Sequence, residues 1–94
     1  MPRLRFSSVA RDDLKEIAKY IARDKPIAAR RWVKRIKEKC HLLANNRELG
    51  DPREDLGVNI RCSYVGSYVI FFRHVGAYLE ISRVIRGDRD TKSL

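Results

Sequence analysis

A chain of 94 residues suffices for one compact domain, residues 1–94, and leaves no room for a separate catalytic domain beside a binding domain. Hydrophobic residues make up 44%, enough for a core without disulfide or metal support, and no apolar run approaches the roughly 20 residues of a membrane span. The formal charge of +9 points to an anionic partner and is lopsided: residues 1–46 carry 13 Lys+Arg against 5 Asp+Glu, whereas residues 47–94 carry 8 against 7.

Arg3-Leu4-Arg5-Phe6-Ser7 alternates basic with apolar, the pattern of an edge strand with one buried face. Ser8 is the candidate N-cap of a helix, with Asp12 and Asp13 near its positive end. Leu14, Ile17, Ala18 and Ile21 give that helix one apolar face through about Asp24, and Pro26 ends it and opens the next. The second helix, Ile27 to Asn45, sets Ala29, Trp32, Val33, Ile36, Cys40 and Leu43 in a stripe about 100° wide. Arg30, Arg31, Lys34, Arg35, Lys37 and Lys39 cover most of the remaining circumference. The expected unit is an antiparallel helical hairpin with a basic exterior.

Asn45-Asn46 and Leu49-Gly50-Asp51-Pro52 mark a loop. Three strand patterns follow, Ile60 to Tyr64, Tyr68 to Arg73 and Tyr78 to Ile85, joined at Val65-Gly66-Ser67 and Gly76-Ala77. Turns this short imply an antiparallel meander. The expected architecture is α+β: a short N-terminal strand, then an antiparallel two-helix hairpin packed on one face of a small antiparallel sheet. The other face is expected to stay open, with Arg61, Arg73 and Arg83 converging there on a basic, concave patch.

The residues offer little for metal or covalent chemistry. His41 and His74 have no acidic or thiol partner at ligand spacing, so no metal and no cofactor is expected. Cys40 and Cys62 stand alone and read as reduced core residues of a cytoplasmic protein, in keeping with a start, Met1 to Phe6, that lacks the apolar stretch of a signal peptide. Glycines are scattered at turns, and Glu54-Asp55 and Asp12-Asp13 read as loop and helix-start acids. Arginine chemistry is left. Arg61 and Arg83 have the charge to hold a scissile phosphate, with His74 or a tyrosine as acid or base. Alternatively, the strand arginines only pair with Glu80, Asp88 and Asp90.

The order and spacing of several short motifs carry a resemblance over nearly the whole chain. They are Ala10-x-x-Asp13-Leu14-x-x-Ile17-x-x-Tyr20-Ile21, Pro26-x-Ala28-Ala29, the Leu49-Gly50 and Pro52 loop, and Arg61. Tyr68-Val69-Ile70-Phe71-Phe72-Arg73 and Ile81-x-Arg83-Val84-Ile85-Arg86-Gly87-x-Arg89-Asp90 complete the set. Together they resemble toxins of the RelE/ParE superfamily of bacterial type II toxin–antitoxin systems, and the ParE branch more than the RelE branch. The resemblance implies a cognate antitoxin whose flexible, often acidic segment wraps the toxin, with Arg31, Trp32, Arg35, Lys39 and Phe71 as its expected grips. ParE-like toxins act on DNA gyrase and RelE-like toxins cut mRNA on the ribosome. The ending resembles ParE toxins, although Arg86 replaces the histidine often found there. Residues 46–60 contain no lysine and nothing aromatic or imidazole follows Tyr78, both departures from the ribonuclease branch. The expected function is therefore a non-enzymatic gyrase inhibitor that grips its target through Arg61, Arg73, Arg83, Arg86 and Arg89. The alternatives are a ribosome-dependent endoribonuclease and a non-toxic partner-binding domain of the same fold.

Overall fold

The computed structural model describes residues 3–87; Arg89, Asp88 and Asp90 lie outside them. The elements run β1 (Arg3–Phe6), α1 (Ser8–Ala22), α2 (Pro26–Asn45), β2 (Asp51–Pro52), β3 (Arg61–Val65), β4 (Tyr68–Val75) and β5 (Tyr78–Arg86).

Local chemistry sets the helix ends. Ser7, not Ser8, caps α1: its backbone is extended and its Oγ accepts from the Ala10 N–H at 3.0 Å. Ser7 is also the residue whose hydroxyl reaches the sheet, donating to the Ser82 carbonyl at 2.9 Å. A helix cannot continue comfortably into the residue before a proline, and Lys25 is indeed non-helical, with Pro26 opening α2. At the far end the Asn46 amide donates to the Leu42 carbonyl, a group that the last turn leaves over, and the Asn45 amide adds a bond to the His41 carbonyl.

The sheet has five strands in the order β1-β5-β4-β3-β2. It is mixed, which corrects the expectation of an antiparallel sheet. β3, β4 and β5 form the antiparallel meander, but β1 pairs parallel with β5, Arg3 opposite Tyr78 through Phe6 opposite Ile81. Parallel pairing needs a long connection, and the whole hairpin and meander supply one. β2, read from the sequence as loop, adds two residues to the β3 edge.

Both faces of the sheet carry a core. The larger lies under the helices, where Leu14, Ile17, Ile36 and Leu43 meet Ile70, Phe72, Leu79, Ile81 and Val84. On the helix-free face Cys62, Val69, Phe71 and Ile85 form a second cluster, with Leu56 and Ile60 packed against it. That face is therefore not open as expected, because residues 53–60 fold back over it. β4 is buried on both sides from Tyr68 to Phe72, which explains its unbroken apolar run. A bulge places Ser82 between the pairs Phe71–Arg83 and Phe72–Ile81, and the Ser82 hydroxyl donates to the Phe71 carbonyl.

Candidate functional site

The arginines expected to converge go to different places. β1 stops at Phe6, so among the described residues β5 beyond Ile81 has no partner strand on that edge. Side chains of α1 take over the pairing. The Asp13 carboxylate accepts from the Val84 N–H at 3.0 Å and from Arg83 through Nε at 2.8 Å and Nη2 at 3.1 Å. The hydrogen bonds to Asp13 raise the Arg83 pKa further above its ordinary range. Arg83 is thus fastened to α1 at one edge of the sheet.

Arg61 reaches the other way. Its Nε donates to the Leu49 carbonyl at 3.2 Å and its Nη2 to the Glu48 and Gly50 carbonyls at 3.3 and 2.6 Å, stapling the loop before β2. With β4 between them, β3 and β5 lie roughly 10 Å apart, and the two guanidiniums point toward opposite edges. Arg61 instead shares a cavity of about 360 Å³ with Arg47 and His74. Burial first, then the charges of Arg47 and Arg61, lower the His74 pKa below its ordinary value.

Arg73 lies on the helix-free face, paired with Glu80 at 3.2 Å, and Arg5 holds the other oxygen of the same carboxylate at 3.0 Å. Of the pairings expected for the strand arginines this one forms. Arg86 stacks over Tyr20, 5.4 Å from the ring centre, and shares with Arg83 and Glu16 a cleft of about 260 Å³ between α1 and β5. The structure therefore joins Arg83 with Arg86 and separates Arg61 and Arg73 from them.

The residues expected to hold an antitoxin lie together on one surface of α2, with one exception. Trp32 packs edge-on against Tyr68, with ring centres 5.5 Å apart, and Arg35 stacks on its outer face at 4.6 Å. Arg31 lines a shallow depression with Trp32 and Arg35, and Lys39 lines the next one with Arg35 and the exposed Leu42 and Tyr64. Phe71 does not join them. It is 2% exposed on the opposite face of the sheet, beneath Arg53 and the 53–60 loop, and offers no surface to a partner.

One feature of the hairpin escaped the residue-by-residue reading. Phe6, Leu14, Ala18 and Val33 floor an apolar groove of about 430 Å³ between α1 and α2, with Arg11, Lys15 and Lys37 at its lips. Its sequence signal is Arg11 and Lys15, one turn apart beside Leu14 and Ala18. Among the described residues no ion pair neutralises these three cations, nor Arg30, Arg31, Lys34, Arg35 or Lys39. Among those residues, too, no group of His, Cys, Asp and Glu is placed to hold a metal, and no helix is long and apolar enough to cross a membrane.

Two helices packed on a mixed sheet, with a cationic, grooved outer surface on the helical hairpin, define an α+β domain, and comparison narrows the class. The chain belongs to the family of ParE toxins of type II toxin–antitoxin systems (parDE), whose sequence model matches residues 4–91. Two of the solved structures that share the fold are informative. A chain of the chromosomal ParDE toxin–antitoxin system from P. aeruginosa superposes with a TM-score of 0.78 at 24% identity, covering 92% of this chain and 96% of that one. A chain of the RelBE2 toxin–antitoxin complex from Mycobacterium tuberculosis gives 0.66 at 22% identity, covering 92% of each. No curated protein sequence matches.

Proposed function

We propose that this toxin arrests growth in the cytoplasm by binding DNA gyrase, without cleaving RNA, and that a cognate antitoxin holds it inactive. The observation that carries the non-enzymatic half is the divergence of Arg61 and Arg83. A phosphate-cleaving site needs its cations aimed at one group, whereas here one guanidinium is tied to backbone carbonyls and the other to Asp13, at opposite edges of the sheet. The Arg83–Arg86 cleft, with its Tyr20 and Tyr68 walls, suits target binding instead. Arg31, Trp32, Arg35 and Lys39, together with the groove between the helices, suit an acidic segment with apolar anchors, whose encounter the uncompensated charge accelerates.

The test is induction in bacteria lacking an antitoxin, following DNA and protein synthesis by precursor uptake, with gyrase supercoiling measured in vitro. DNA synthesis is expected to halt first, and Arg86→Ala to relieve the arrest while antitoxin binding persists. Protein synthesis halting first would transfer the case to the ribosome-dependent ribonuclease, and loss of neither would leave a non-toxic binding domain of this fold.

A further inference from the structure

The cavity bounded by Arg47, Arg61 and His74 has no part in the reading above, yet it is built like a receptor. We infer that it binds a phosphate group, held between the guanidiniums of Arg47 and Arg61 beside the His74 imidazole.

Charge is the first support. Two guanidiniums face a single carboxylate, Glu54, which forms no ion pair with either among the described residues. Preorganisation is the second. Arg61 commits Nε and Nη2 to the carbonyls of residues 48–50, which fixes the plane of its fork and leaves Nη1 unused among the described residues. Arg47 is anchored by one bond, Nη1 to the Gly76 carbonyl at 3.0 Å. Fixed guanidinium forks match the geometry of phosphate oxygens.

The third support is an unmet need. His74 Nε2 is shielded from solvent and has no hydrogen-bond partner, a condition no other buried side-chain nitrogen or oxygen among the described residues shares. Around the ring stand Arg47, Arg61 and Glu54 as the charged groups, with Phe72 at 6.2 Å between ring centres and Leu79 opposite on β5 as apolar neighbours. Burial and the two guanidiniums outweigh that one carboxylate and lower the His74 pKa below its ordinary value in the free protein. A bound phosphate supplies the missing counter-charge and favours the protonated ring.

Because His41, exposed on α2, is the other histidine of the chain, the measurement carries its own control. The ring C–H signals of both are followed by NMR while inorganic phosphate replaces chloride at constant ionic strength. Expected is a saturable shift at His74 alone, half complete below about 10 mM, with its titration midpoint moving upward as phosphate is added. Arg47→Gln, which removes a surface side chain with one hydrogen bond, should weaken binding at least about fivefold while the backbone spectrum persists. A second arm uses a short single-stranded oligonucleotide. Displacement of phosphate by it assigns the site to a nucleic-acid phosphodiester, and phosphate binding without displacement assigns it to a free phosphate. The inference is overturned by absence of saturation at His74, by equal drift at both histidines, or by unchanged affinity in Arg47→Gln.

Discussion

Replacing Asp13 by alanine tests whether α1 finishes the β5 edge. The substitution strands the N–H of Val84, a residue only 1% exposed, and an unsatisfied buried donor costs about 1–3 kcal/mol. It also removes the forked pair with Arg83. Because the Arg83 side chain is 37% exposed, solvent screening reduces that contribution to about 1 kcal/mol. The sum, about 2–4 kcal/mol, is a large fraction of the roughly 5–15 kcal/mol that holds such a domain together. For a chain of this length it corresponds to a Tm drop on the order of 10–30 °C. Asp13→Asn retains an oxygen for the Val84 N–H and should cost only about 1 kcal/mol. Urea unfolding of both variants, with Arg83→Ala closing a double-mutant cycle, separates the two contributions. A loss below about 0.5 kcal/mol in Asp13→Ala, or equal losses in Asn and Ala, would refute the assignment of the edge to this carboxylate.

Two further outcomes follow from packing. Gly66 has φ +56°, and a Cβ there would collide with the Trp32 ring, whereas Gly76, with φ +58°, has open space around it. Both alanine variants carry left-handed strain of about 1–2 kcal/mol, so any larger unfolding penalty at Gly66 measures the Trp32 contact; equal penalties would mean the ring moves aside freely. Cys40 and Cys62 are both free and buried, on opposite faces of the sheet, and burial pushes the Cys40 thiol up to about 12. Neither should react with a thiol reagent at pH 8 until the chain is unfolded in denaturant, and rapid labelling of the native protein would contradict the packing described.

Period and punctuation made much of the architecture legible. The 3.6-residue stripes gave both helices, Pro26 their corner, and Gly66 and Gly76 the turns of the meander. Pairing partners distant in sequence were not legible. β1 reads as an edge strand from its alternation, but nothing in Arg3 to Phe6 specifies β5 as its neighbour or parallel as its direction. Asp13 reads as an acid near a positive helix end, and only the sheet reveals that it replaces a missing strand. Phe71 alternates with Phe72 along β4 and so shares the face of Arg73, but alternation cannot say that Leu56 and Ile60 return to cover it. The arginines failed for a related reason. Their strands were right and their heads went wrong, since a long flexible stem lets Arg61 and Arg83 find carbonyls and a carboxylate on different edges.

The β1–β5 pairing also fixes an order of assembly. Arg3 and Tyr78 are 75 residues apart, so bringing them together costs about 4 kcal/mol in loop closure if nothing else has formed. The hairpin and the meander, by contrast, close through neighbours in sequence. During synthesis at about 5–20 residues per second, β1 emerges seconds before the strand it must pair with. Until then the helices lack Leu79, Ile81 and Val84 of β5, and the apolar face of Leu14, Ile17, Ile36 and Leu43 is only partly covered. A nascent chain interrupted before Tyr78 is therefore a domain with its core half covered and not yet a toxin, and the last strand among the described residues is the one that completes it.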